Sequence, residues 1–179
     1  MYILNKLIRK IKLYNIKRKI NKKTPKDFRD LKKKYNFDSS CKIGSNSSYG
    51  SVYILDKNRV GKVLYFYDFR ELRREYISQK IAYNLGISVP QPYELVLAKN
   101  KKEGKREPML VMEYCGKNRL RDMKDIDKYR GEFLEEERRV RKMGFKPKRG
   151  YFLDTGTHNA FWNDLEKKVV LFDCGFWDI

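Results

Sequence analysis

The sequence predicts an α+β fold: a sheet with one helix, then a smaller part with a helix and a strand pair. Three observations carry this prediction. Two strand-like runs, Val52–Leu55 and Arg59–Leu64, are joined by the tight turn Asp56-Lys57-Asn58. A helical stretch with start and stop signals follows, and two more strand runs come after it. The last third holds a Glu- and Arg-rich helix and one short strand pair. The 179 residues suffice for one domain or for two small lobes sharing a cleft.

Residues 1–36 read as a basic amphipathic helical extension. Ile3, Leu4, Leu7, Ile8, Ile11 and Tyr14 recur at helical spacing between lysines and arginines, and this stripe is expected to pack on the body. Its charged side leaves open contact with an anionic membrane surface or a nucleic acid. Thr24-Pro25 reads as a break, with Thr24 capping a second short helix that begins at Pro25. Residues 37–116 read as the first lobe. Its helix is expected from about Phe69 to Leu85, with Asp68 as cap and Glu71 as the return arm of a capping box. Gly86 is the stop signal, and Pro90 and Pro92 prevent continuation. Tyr93–Leu97 and Met109–Tyr114 read as strands, with the charged stretch Lys99–Glu107 as an exposed loop. In residues 117–179, a helix is expected from about Arg130 to Met143, ended by Gly144. Ala160–Trp162 and Lys168–Phe172 then flank an Asn163-Asp164 turn.

A 41% hydrophobic and 14% aromatic composition supports a folded core. The formal charge of +19, from 42 Lys+Arg against 23 Asp+Glu, predicts attraction to anions without choosing among them. Cys41, Cys115 and Cys174 are odd in number and far apart, and His158 is the single histidine. That pattern argues against a disulfide framework and a Cys/His zinc site, and points to a reducing, cytoplasmic setting. The cysteines are expected to be small buried hydrophobes. No apolar run approaches the roughly 20 residues of a membrane span, and the N-terminus lacks a signal-peptide apolar core.

The candidate chemistry lies in five places. Asp154 and Asn159 stand five positions apart, and Asp173, at the end of an apolar strand run, comes fourteen residues after Asn159. Phosphoryl transfer needs a carboxylate to orient the attacking hydroxyl and oxygen ligands to hold Mg²⁺ on the phosphates. Residues 44–51 form a run of small residues whose backbone N–H groups can approach phosphate oxygens closely. Lys62, on the second strand, can bind phosphates. Glu75, on the helix that follows, can hold Lys62; Glu71 competes for that role but already serves as a capping residue.

Taken in order, these segments resemble the protein-kinase-like superfamily. Ser48-Tyr49-Gly50-Ser51-Val52 is similar to the end of a kinase glycine loop, and Val60-Gly61-Lys62 to V-A-x-K with one residue fewer. Leu171-Phe172-Asp173-Cys174-Gly175 is similar to L-x-D-F-G. The helix ending in Gly86-Ile87-Ser88-Val89-Pro90 resembles small atypical kinases of the RIO type. The resemblance spans about residues 42 to 176. It implies two lobes: a five-stranded antiparallel N-lobe sheet with one helix, and a truncated, mostly helical C-lobe. It also implies ATP and Mg²⁺ as cofactors and transfer of the γ-phosphate to a protein hydroxyl, on Ser or Thr. Asp154 and Lys62 would be catalytic, and Asn159 and Asp173 the metal ligands. Gly44, Ser47, Gly50, Val52, Lys62, Glu75, Glu113 and Cys115 would meet the nucleotide.

The departures are Ser45 and Ser47 in place of glycines, Phe152-Leu153 before Asp154, and Gly156 where a lysine is usual. They leave open a catalytically silent nucleotide-binding adaptor. The charge leaves open a basic nucleic-acid-binding protein. Because the sequence stops six residues after Asp173, the basic N-terminal segment is expected to stand in for missing C-lobe helices.

Overall fold

The computed structural model describes residues 2–43, 50–64, 69–116, 118–124, 126–147, 159–172, 174 and 177–178. Its main layer is a six-stranded mixed sheet in the order β1-β5-β6-β4-β3-β2. The strands are β1 (Lys32–Phe37), β2 (Lys42–Ile43), β3 (Gly50–Ile54), β4 (Arg59–Leu64), β5 (Pro92–Asn100) and β6 (Arg106–Glu113). Helix α1 (Tyr2–Lys23) precedes them, and α2 (Phe69–Asn84) connects β4 to β5.

The expected five antiparallel strands therefore become six. β2, β3, β4, β6 and β5 are antiparallel neighbours, whereas β1 adds to the edge, parallel to β5. The sequence hid β1 because Lys32, Lys33 and Lys34 show no apolar alternation. Lysines at a sheet edge are a common guard against further pairing. The strand is held by Phe37, which is buried, and by Tyr35 and Lys34, whose side chains both reach Glu94 of β5. Tyr35 takes a positive φ of 61° where the register of β1 shifts, between Lys33 and Asn36. The last residues of the expected helical extension thus belong to the sheet.

The Thr24-Pro25 break is real but differently built. Thr24 does not cap a new helix; its hydroxyl donates back to the Ile20 carbonyl at 2.8 Å and closes α1. Asp27 caps the short turn that follows, Phe28–Asp30, in a reciprocal capping box with Asp30. The exposed loop expected over Lys99–Glu107 is shorter, since β5 runs to Asn100 and β6 starts at Arg106. Gly86 and Gly144 end their helices with φ of +76° and +94°, as the stop signals predict.

Two apolar clusters sandwich the sheet. One face carries Leu95, Leu97 and Leu110 against Leu72 of α2 and Leu31. The other carries Val63, Val96, Met109 and Val111 with Phe37. The third and largest cluster joins the second half of α2 to the C-terminal part. That part holds α3 (Ile126–Lys142), the strands β7 (Lys146–Pro147) and β10 (Trp177–Asp178), and the hairpin β8 (Ala160–Asn163) with β9 (Lys168–Leu171). Among its described residues α3 is the single α-helix, beside two two-stranded sheets. The two parts are stitched by hydrogen bonds. Leu171 N–H donates to Ser88 O, Ser88 N–H donates to Glu136, and Arg139 donates to Gly86 O.

α1 packs on this third cluster through Leu13, Ile16 and Ile20. The stripe expected to pack had included Ile11 and Tyr14, which are instead exposed. Arg73 of α2 fastens the end of α1 by donating to Pro25 O at 2.7 Å and to Asn21. No described helix is long and apolar enough to cross a membrane.

Candidate functional site

The antiparallel register sets one row of side chains across four strands. Val52 of β3 lies opposite Lys62 of β4, Lys62 opposite Leu110 of β6, and Leu110 opposite Leu95 of β5. Directly opposed residues project on the same face. That face is covered by α2, because Leu95 and Leu110 pack with Leu72. Lys62 is the charged member of an otherwise apolar row, in the middle of the sheet.

Its ammonium meets Glu75 of α2. Lys62 Nζ donates to Glu75 Oε1 at 2.7 Å, and the two side chains are 11% and 7% exposed. Glu75 is thus the Lys62 partner that the sequence preferred. Glu71, one turn earlier, pairs with Arg74 at 2.8 Å. A lysine and glutamate this far from water are retained at a desolvation cost of several kcal/mol per ion, offset by their mutual contact.

Gly50, the final glycine of the expected phosphate loop, pairs with Leu64 at the start of β3. A Cβ there would lie 2.4 Å from the Val63 carbonyl oxygen, so the close approach of β3 to β4 requires glycine. At Gly61, beside Lys62, a Cβ would meet the Met109 side chain, which would have to shift to admit it.

The expected adenine-contacting stretch follows β6. Glu113 pairs with Arg59 in register, its N–H donates to Gln91 O, and its carboxylate accepts from Gln91 N–H. Tyr114 N–H donates to Asn58 O at 2.9 Å. Cys115 is buried, and that burial pushes its thiol up to about 12. Cys174 is buried too, whereas Cys41 is exposed, against the expectation that all three would be interior.

Asn159 is half-buried at the foot of β8. Its carbonyl accepts from Phe172 N–H at 2.8 Å, one pair beyond Ala160 and Leu171. The hairpin therefore sets Asn159 across from the residue that precedes Asp173 in the sequence. Gly44, Ser47, Asp154 and Asp173 lie outside the described residues. Among the described residues, no cluster of three His, Cys, Asp or Glu could hold a metal.

Sequence reasoning missed Gln79. It is buried one turn after Glu75, and its amide donates to Pro90 O at 2.8 Å and contacts the Met112 sulfur. It fixes the same face of α2 to the entrance of β5 and to β6. The available signal was its i+4 spacing from Glu75, which puts both on one helix face.

No protein-family model matches the chain, and no curated protein matches its sequence.

Proposed function

We propose that the chain is an ATP- and Mg²⁺-dependent phosphotransferase with a protein-kinase-like fold, acting on a protein Ser or Thr hydroxyl. The observation that carries this reading is the buried Lys62–Glu75 pair linking the central strand β4 to α2. As a stabilising device such a pair is poor, since well-packed apolar residues serve as well or better. As a means of holding an ammonium at a fixed point on a sheet face it serves a purpose, because fixed charge needs no reorganisation when phosphate charge arrives.

The chain order supports the same reading. With β1 set aside, the antiparallel neighbours run β2-β3-β4-β6-β5, with α2 between β4 and β5. Five antiparallel strands with one helix are what the kinase resemblance implies.

The donor set suits the cofactors. Lys62, oriented by Glu75, would meet phosphate oxygens. Val52, on the same sheet face, and Gly50 would line the nucleotide, with Gly44 and Ser47 in the loop before them. The backbone from Glu113 to Cys115 would meet the adenine. Asn159 and Asp173 offer hard oxygen ligands of the type Mg²⁺ takes, and Asp154 would orient the acceptor hydroxyl. Bound MgATP supplies the phosphoryl group, and the chain's own residues supply position and charge.

The test is transfer of label from γ-labelled ATP, with Mg²⁺ and protein acceptors, beside Lys62→Met, Asp154→Ala and Asp173→Ala. Transfer should fall on the order of 10³-fold in each variant. Thermal stabilisation by MgATP without transfer would replace the enzyme by a silent nucleotide-binding module. Neither transfer nor stabilisation would overturn the proposal.

A further inference from the structure

We propose that α1 is a two-sided helix whose outward face seats the protein on an anionic lipid bilayer. The inward side is set by packing: Leu13, Ile16 and Ile20 lie against the largest core cluster, and Arg73 fastens the helix end at Pro25 and Asn21. At about 100° per residue, Ile11 and Tyr14 fall on the opposite side, roughly 160° away. They are 52% and 65% exposed. In the sequence, Ile3, Leu4, Leu7 and Ile8 repeat at the spacing that leads to Ile11 and Tyr14. Among the described side chains, Ile11 and Tyr14 thus form an apolar patch that the docking of α1 on the body does not use.

The charge of this helix selects the occupant. α1 contains no Asp or Glu. Lys10, Lys12, Arg18, Lys19, Lys22 and Lys23 are all exposed. An aliphatic residue and a tyrosine set among cations match the boundary of an anionic bilayer. There the apolar parts leave water, the tyrosine hydroxyl stays at the headgroups, and the cations meet lipid phosphates. A nucleic-acid backbone rewards the cations alone and gives no return for an exposed isoleucine. No described helix is long and apolar enough to cross a membrane. This inference is independent of the phosphotransferase reading, and its readout involves no ATP.

The experiment is flotation of the full chain with vesicles of phosphatidylcholine alone or mixed with phosphatidylglycerol. Retention is expected on the anionic vesicles and should weaken, without vanishing, as salt rises. Lys10→Gln and Lys22→Gln should each weaken it about fivefold. The double variant Ile11→Asn/Tyr14→Asn should weaken it on the order of tenfold or more at an unchanged melting temperature, since both side chains are exposed. Absence of retention on anionic vesicles would overturn the proposal, as would retention that ignores Ile11 and Tyr14. A duplex oligonucleotide that strips the protein from vesicles and binds the Ile11/Tyr14 variant equally well would identify nucleic acid as the partner instead. A dimer abolished by that variant would make the face a self-interface.

Discussion

Removing the Glu75 carboxylate while leaving Lys62 in place tests the site without any assumption about substrate. In Glu75→Ala the ammonium keeps its position under α2, where the lysine side chain is 11% exposed, and loses a partner 2.7 Å away. Breaking a buried ion pair from one side typically costs about 3–5 kcal/mol. For a chain of 179 residues, each kcal/mol shifts the melting temperature by roughly 2–4 °C, so the fall should be roughly 6–20 °C. The double variant Lys62→Met/Glu75→Leu removes both charges and fills a similar volume, so it should melt close to the parent. Circular dichroism melts with and without MgATP then separate stability from function. The double variant should be stable yet gain nothing from the nucleotide, whereas the parent should gain about 2.7 kcal/mol at a hundredfold excess over Kd. Should Glu75→Ala melt indistinguishably from the parent, the pair is not desolvated and the reasoning fails. Should the double variant still be stabilised by MgATP to the full extent, Lys62 does not hold phosphate.

Three further outcomes are expected. Gly50→Ala should cost about 1–3 kcal/mol in urea denaturation, because its Cβ would meet a backbone oxygen at 2.4 Å and no side chain can yield; an unchanged midpoint would contradict the close approach of β3 and β4. Ellman's reagent should titrate Cys41 alone in the native protein and all three thiols in guanidinium, because Cys115 and Cys174 are buried. Since burial raises the Cys115 thiol from 9.0 to about 12, the stability it contributes is complete below pH 9 and is lost as pH rises towards 12, and native labelling of Cys115 at pH 8 would refute this. At the sheet edge, burial pushes the Glu94 carboxyl up, but hydrogen bonds from Lys34 and Tyr35 outweigh it and hold it below the ordinary value of 4.5. The stability it contributes is therefore present above pH 4.5 and lost as pH falls through the lower native value, so Glu94→Gln should flatten that part of the acid melting profile.

The legible parts of the fold were those with local signals. Arg59–Leu64 forms β4 over the expected residues, and Gly86 and Gly144 stop their helices where chain-breaking glycines predict. Glu75 was chosen over Glu71 because Glu71 had a local role available, and the structure gives each a different cation. What escaped was decided by distant partners. β1 shows no period of its own and exists because β5 offers Val96, Leu97, Lys99 and Asn100 for pairing and Glu94 for Lys34 and Tyr35. In α1 two apolar phases coexist, and nothing local says that Leu13, Ile16 and Ile20 meet the core while Ile11 and Tyr14 do not. Cys41 ends the short turn Ser39–Cys41 and is exposed, whereas Cys115 follows β6 and is buried.

The face that α2 turns to the sheet bears on function more than any single motif. Glu75, Ser78 and Gln79 are all buried there, at i, i+3 and i+4. A helix that had only to cover a sheet would place aliphatic residues at such positions, as α2 does with Leu72. The polar positions instead make directed bonds: Glu75 to the ammonium of β4, and Gln79 to the carbonyl before β5. Directed bonds fix the rotation and height of α2 against the sheet in a way that interchangeable aliphatic contacts do not. An arrangement that accepts desolvation in exchange for placement is what a site needs when a cation must stand at one point on a sheet face. Replacing Gln79 by Leu therefore separates the two roles. If the polar face serves placement, the variant should keep or raise the melting temperature while weakening MgATP-dependent stabilisation. If it serves stability alone, the melting temperature should fall and the response to nucleotide should stay the same.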